Sequence, residues 1–466
     1  MSLGRLIVCL GLVLGLCGAA PAEDARGAIA SIAAPHRFDA VRWMVSQWVR
    51  GGASGGRASG EAPSAFVWRY LAITRDIERL EQERELAVAR EPDRVPAELD
   101  ASLARLRESQ RSMQPGVERA LTSQIRATLI DLGIRSPADG WTASMPFFPP
   151  ISFRLENPPQ LLVVSPRDRI ESVAQIMLVQ DLDLTTALGI ESEVEALGYS
   201  ALVTGIGGFG GTYPTFVAES SSLRWTIETA TEEWFHQYLA FTPVGSRYVL
   251  HLVGWRPDYE IARINETVAG FVASEVADQV LDRYYGGGDL TSLETVASEF
   301  DYTRFMRETR MTVDRLLADG EVEAAEAYME ARRQELVARG YAVRKLNQAY
   351  FAFHGTYTYG PAAVDPIYEE IKLLRSKSAS LSTFVQAASR LTSRAHLRAL
   401  LELPAPEQAS RRPDSVRTFG ACARVSTQMI MLPKAINRSE DNVTERPGFR
   451  AADTWSHGHP PCDLMG

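Results

Sequence analysis

Apolar positions change their period several times along the 466-residue chain, and each change predicts a different element. From Ser64 to Ile134 the spacing is helical. Leu71, Ile73, Ile77 and Leu80 form one series and Leu99, Leu103 and Leu106 another, with many Glu and Arg between them. That spacing gives each helix one apolar stripe and one solvated face. Glu91-Pro92-Asp93 and Pro96 interrupt the series. Proline lacks the amide hydrogen and its ring clashes with the preceding turn, so the region 23–145 is expected to hold an antiparallel helical hairpin. Scaffolding is the simple use of such a hairpin, and partner binding is the alternative. Upstream of it, Gly51-Gly52-Ala53-Ser54-Gly55-Gly56 has the composition of a flexible connector.

Past Pro146 the residues become strand-like, with proline breaks around Ile151-Ser152-Phe153-Arg154-Leu155 and Leu161-Leu162-Val163-Val164. A helix around Glu191 to Leu197 precedes Ala201-Leu202-Val203-Thr204 and then a glycine run from Gly205 to Gly211. Gly205, Gly207 and Gly210 satisfy the spacing Gly-x-Gly-x-x-Gly. A dinucleotide loop opens a helix, however, whereas Thr212 to Val217 is strand-like, so the run reads as a hairpin loop. Tyr248 to Leu252 also reads as strand-like or extended. Amphipathic stretches from Leu290 to Arg339, including Val322 to Ala338, make the C-terminal half mainly helical. Leu400-Leu401-Glu402-Leu403 before Pro404 marks the end of the folded core. The expected fold class is α+β, mainly α, with a core at 146–403 containing a small sheet and a poorly ordered tail at 404–466.

The chemistry concentrates in the helical stretch Glu228 to Leu239. Its centre, Glu232-Glu233-Trp234-Phe235-His236, is the zinc-hydrolase pattern His-Glu-x-x-His with Glu in place of the first His. Positions i and i+4 share a helix face, so Glu232 and His236 can aim an oxygen and a nitrogen at one point, with Glu233 about 100° round the helix. Downstream, Asn265-Glu266-Thr267-Val268-Ala269 opens an apolar-periodic stretch running to Tyr285, which predicts Glu266 on the first turn of a second helix. Zinc accepts carboxylate oxygen as well as imidazole, and a catalytic site needs three protein ligands and an open position. Two carboxylates and one His meet that count while adding negative charge, which weakens the Lewis acidity of the ion. Glu228 lies one turn before Glu232 and either supports a ligand or points to water. His251 is a substitute ligand or a satisfied buried histidine. Glu275 falls on the opposite helix face from Glu266.

Glu232-Glu233-x-x-His236 followed by Asn265-Glu266-x-x-Ala269 resembles the gluzincin metallopeptidases. The stretch Lys345 to Tyr357, which includes Asn347, His354 and Tyr357, is similar to the helix after the zinc site in a predicted-aminopeptidase family of that type. The resemblance covers roughly residues 220 to 400 and implies a zincin-like core. It makes Glu232, His236 and Glu266 metal ligands, Glu233 the general base, and His354 or Tyr357 a donor to the developing oxyanion. The implied ion is zinc, with manganese or iron as alternatives because oxygen ligands suit harder ions. The implied substrate is a peptide or protein, and the glycine loop is expected to border the cleft. The other class of function is a catalytically silent relative that serves as a binding or scaffold protein of the cell envelope.

Composition narrows this picture without redrawing it. The chain is 45% hydrophobic with a formal charge of -9, and it shows no basic stripe with interleaved aromatics, which argues against a nucleic-acid partner. Residues 1–22 read as a signal peptide, with Arg5, the apolar run Leu6 to Leu16 and the cleavage site Ala20-Pro21-Ala22. The apolar run falls short of the ~20 residues a membrane span needs. Export follows, to a periplasmic, secreted or envelope-associated location, with membrane proximity if the segment is retained. Cys422 and Cys462 alone of the four cysteines lie beyond the signal, so the chain is no disulfide scaffold. His457, His459 and Cys462 match no closed zinc set. Asn437 and Asn442 satisfy the glycosylation pattern. The sequence sets no oligomeric state.

Overall fold

The computed structural model describes residues 23–51, 62–90, 97–137, 147–180, 182–252, 255–286, 300–339, 341, 343–355 and 366–402. Residues 1–22, expected to be a signal peptide, most of the Gly/Ser connector, the proline break at 91–96, Tyr357 and residues 403–466, with their histidines, cysteines and glycosylation patterns, lie outside the described residues. The described structure is mainly helical with small sheets.

Helices α1 (Glu23–Ala33), α2 (Ala40–Gly51), α3 (Pro63–Arg90) and α4 (Ala97–Asp131) come first. α3 and α4 pack on each other, with Gln110 Nε2 donating to the buried Thr74 hydroxyl at 3.0 Å and Arg84 reaching Asp100 at 2.8 Å. Their apolar stripes do not form a core of their own. Val67, Leu71, Val117, Leu121, Ile125 and Leu129 join one continuous core with the motif helices further along the chain.

Two three-stranded sheets follow. Strands β2 (Gln160–Pro166), β3 (Ala174–Leu178) and β4 (Tyr199–Thr204) form an antiparallel sheet in the order β3-β2-β4. The alternation along β2 is divided between two cores. Leu162 and Val164 meet α1 and α5 (Leu184–Glu195), while Leu161 and Val163 meet α9 (Tyr302–Ala318), α10 (Val322–Ala338) and α11 (Gln348–His354). A strand covered on both faces reads as an unbroken apolar run because side chains alternate sides. Each fully buried Leu or Val there contributes about 1.5–3 kcal/mol.

The second sheet, in the order β1-β6-β5, is built from β1 (Phe153–Leu155), β5 (Gly208–Phe209) and β6 (Thr215–Val217), with β1 parallel to β6 and β5 antiparallel to it. The glycine run thus supplies a short strand and the turn of a hairpin, Gly208 pairing with Val217 and Phe209 with Phe216.

The motif helices are α6 (Leu223–Leu239) and α8 (Tyr259–Tyr285), joined through α7 (Pro243–Leu252). α8 is apolar along most of its length, with Val268, Val272, Val276 and Val280 all fully buried, and it packs along α6 at the centre of the largest core. Helices α12 (Ile367–Lys377), α13 (Leu381–Ser389) and α14 (Arg394–Glu402) close over it. Among the described residues no helix is long and apolar enough to cross a membrane.

Two local expectations fail. Tyr248 to Leu252 is helical, not extended: Pro243 opens α7 at a position where its missing amide costs nothing, and the Gly245 amide donates to the Thr242 hydroxyl at 3.4 Å. α8 begins at Tyr259, not beside Asn265, because the Asp258 side chain accepts from the Ile261 amide and caps the helix there. Glu266 therefore sits well inside a rigid helix and not on a fraying first turn.

Candidate metal centre

α6 is anchored at its start by Ser222, whose hydroxyl accepts from the Trp225 amide at 3.3 Å. Its apolar face, including Ile227, Trp234, Phe235 and Leu239, is buried, and Trp234 Nε1 donates to Pro149 O at 2.9 Å. With that face locked inward, the rotation of the helix is set, and Glu232 and His236 turn toward α8. Glu232, His236 and Glu266 each offer one ligand atom, and these atoms all lie within 4.8 Å of one another. His236 Nε2 and Glu266 Oε2 are 3.5 Å apart, close to the ~3.3 Å that separates two ligands of a tetrahedral ion with bonds of about 2.0 Å.

The surrounding bonds suit ligation. His236 Nδ1 donates to Asn265 Oδ1 at 2.8 Å, so that in the neutral form a metal requires the lone pair sits on Nε2, the atom that faces Glu266. The Tyr248 hydroxyl donates to Glu266 Oε1 at 2.5 Å, leaving Oε2 toward the His. The rings of His236 and Tyr248 stack at 5.9 Å. Burial by itself would drive His236 to its neutral form, but Glu266, Glu233 and Glu232 outweigh it and hold the pKa above the usual histidine range. Burial would likewise raise Glu266, yet His236 and the Tyr248 hydroxyl bring it below the usual carboxylate value. Three carboxylates and one imidazole thus share one small, largely buried volume. The donor set, its spacing and its orientation all fit a divalent cation.

Glu233 lies against the glycine run. A Cβ on Gly208 would collide with the Glu233 carboxylate, and one on Gly210 would come within 2.8 Å of its backbone oxygen and 2.9 Å of Oε2. Only glycine lets β5 approach α6 this closely. Gln237 Nε2 fastens the loop by donating to Gly210 O at 2.9 Å and Thr212 O at 2.8 Å. Burial pushes the Glu233 carboxyl up to about 8, helped by Glu232 and Glu266 and opposed by His236 and the Gly210 amide. A carboxyl poised near neutrality is suited to taking up and returning a proton.

The other candidates fall elsewhere. Glu228 pairs with Arg224 at 3.1 Å, and it is Arg224 that ties α6 to α8 by also reaching Asp278. His251 Nδ1 accepts from the Asp258 amide at 2.9 Å, and burial lowers its pKa despite Asp258 and Glu266. It is a neutral histidine outside the ligand group. Glu275 forms a two-bond pair with Arg375 at 2.6 and 2.9 Å. His354, expected as a donor to the oxyanion, ends α11 with its ring 4.2 Å from that of Tyr350, and burial drives its pKa down to about 3.

Next to the centre is a cavity of about 300 Å³ that Glu266, Tyr248 and His251 share with α11 and the β2–β3 loop. The sequence reading missed this cavity and the role of Tyr248, which nothing local distinguishes from a packing tyrosine. Asn265 was legible only as the neighbour of Glu266. Comparison with known proteins finds no matching family model, no matching curated protein and no matching solved structure.

Proposed function

We propose that this chain is an exported metal-dependent peptidase with a zincin-like core, hydrolysing peptide bonds at the Glu232–His236–Glu266 centre. The observation that carries this reading is the convergence of three ligand atoms within 4.8 Å beside the Glu233 carboxyl, against which the glycine run packs. Glu232, His236 and Glu266 would hold the ion, zinc first and manganese or iron as alternatives. When bound, the ion supplies Lewis acidity toward a peptide carbonyl and acidifies water. Glu233 takes the proton of that water on its carboxylate and returns it to the departing amine, while the Gly210 amide holds the carboxylate in place. Asn265 keeps the His236 proton on Nδ1, and Tyr248 keeps one Glu266 oxygen occupied so that the other faces the His.

A second reading, a catalytically silent envelope scaffold, draws on Glu232 standing where the hydrolase pattern has His. The two separate on metal content and turnover. We expect near one ion per chain in the purified protein, none in a Glu232→Ala, His236→Ala double variant, and peptide hydrolysis that Glu233→Gln removes while the ion stays. Absence of metal after reconstitution would favour the scaffold, and hydrolysis that survives Glu233→Gln would sink the mechanism.

A further inference from the structure

The cavity beside Glu266 is bounded by the apolar Ile170, Leu252, Phe351 and Phe353 and by charged and polar groups that have partners. Arg169 meets Asp168 and Glu171, Arg310 meets Asp314 at 2.8 Å, Arg263 has a partner of its own, and Glu266 is met by His236 and Tyr248. Tyr259 donates to Ser172 O at 2.7 Å, and Gln175 Nε2 to the Ser172 hydroxyl at 3.1 Å. Apolar side chains are thus what this wall offers a guest without first breaking a bond.

His251, three residues after Tyr248 on α7, is different. Its half-buried ring packs against Tyr248, stacked at 6.5 Å, and against Tyr259, edge-on at 5.0 Å. Nδ1 accepts from the Asp258 amide at 2.9 Å. A backbone N–H can only donate, so Nδ1 carries the lone pair and the ring proton sits on Nε2. That contact fixes charge as well as tautomer, because a second proton on Nδ1 would break it. Burial acts in the same direction and holds the pKa below the usual histidine range. Among the described residues Nε2–H has no acceptor, and the ring lines the cavity. Such a group can hold a carbonyl oxygen and has no lone pair left for an ammonium.

We propose that the cavity is a subsite for an apolar residue of the substrate, and that His251 holds this residue by donating Nε2–H to its backbone carbonyl. The inference rests on the peptidase reading of the adjoining centre and deepens it. A volume of about 300 Å³ lies at the small end of ligand pockets and suits one or two residues of a peptide. An apolar side chain entering among Ile170, Leu252, Phe351 and Phe353 leaves water for carbon, whereas a charged one gives up its hydration to groups that are already bonded. Glu266 belongs both to the cavity wall and to the ligand group, so a residue held there lies next to the place of the ion.

The test is calorimetric binding of uncharged peptides to the metal-loaded Glu233→Gln protein, which does not turn over. The probes are acetyl-Ala-X-Ala-amide with Gly, Leu or Phe at X, and the Leu peptide with a thioamide, a poorer acceptor, in place of the X carbonyl. We expect the Leu and Phe peptides to bind about tenfold or more tighter than the Gly peptide, and the thioamide about three- to tenfold more weakly than its parent. Adding His251→Phe, which keeps an aromatic wall and removes the donor, should cost the Leu peptide about three- to tenfold and make parent and thioamide bind alike. His251→Gln, which restores an N–H at similar reach, should recover most of that loss. Neither variant keeps Nδ1, so a histidine that served only the fold would give equal losses in the two. Equal binding of the Gly and Leu peptides, or equal losses in His251→Phe and His251→Gln, overturns the proposal. If the variants fail to fold, the thioamide comparison with His251 in place decides. Metal content and turnover are measured separately: an apolar preference found without metal would retain the subsite and reject the peptidase reading, and metal with turnover but no preference would do the reverse.

Discussion

Two buried carboxylates define the two regions of this molecule. Glu191, on α5, is 1% exposed and is met by Arg344 at 2.6 Å, by Lys345 at 3.1 Å and by the Val203 amide at 2.6 Å. Burial pushes its pKa up, but the two cations and the amide more than offset this and leave it below the ordinary value. Glu266, on α8, is 6% exposed and meets a single imidazole, a tyrosine hydroxyl and the field of two further carboxylates. The first region is balanced within the chain, tying the β3-β2-β4 sheet to the segment before α11. The second gathers three carboxylates about one imidazole, with three potential ligand atoms within 4.8 Å of one another. A buried acid met by fixed cations serves the fold, and one that shares its space with other ligand atoms offers a place for an ion.

Substitutions in the two regions should differ in kind and in size. The largest effect is expected at the ligand cluster: Glu233→Gln should lower peptide hydrolysis by about 10²–10⁴-fold with metal content, followed by atomic emission, unchanged. At the balanced region, Glu191→Ala should destabilise the fold by about 3–5 kcal/mol in urea titrations, since Arg344 and Lys345 lose their partner. Because the Glu191 pKa is depressed in the folded state, this stabilisation is present above the unfolded carboxylate value and disappears as pH falls through the folded one. A wild type and Glu191→Ala that converge in stability in acid and diverge toward neutrality would bear this out.

Smaller changes probe the supports. Asn265→Ala frees the His236 ring and should weaken metal affinity by about 10–100-fold in competition with a chelator, without the stability loss of Glu191→Ala. Glu228→Gln should have the mildest effect and the opposite pH dependence. Burial lifts Glu228 to about 7 against the pull of Arg224, so the folded state favours its protonated form. Its contribution is full below the unfolded carboxylate value and is lost as pH rises through about 7. The variant should therefore gain stability relative to wild type above that pH, by about 1–3 kcal/mol. An unchanged difference between pH 5 and 9 would refute this.

Features that depend on neighbours a few residues away were legible along the chain. Helical spacing put Glu232 and His236 on one face, unbroken apolar runs marked β2 and β4, and the glycine run followed by strand-like residues announced a hairpin. These follow from periods of 3.6 and 2 that the chain carries locally. Tertiary structure decided the rest. It turned Tyr248 to Leu252 into a helix that delivers a hydroxyl to Glu266, laid Gly208 and Gly210 on Glu233, matched Glu191 with Arg344, and built the arginine-lined cavity. None of these has a local signature, because a charge is balanced or left unbalanced only by groups that packing brings together from distant parts of the chain.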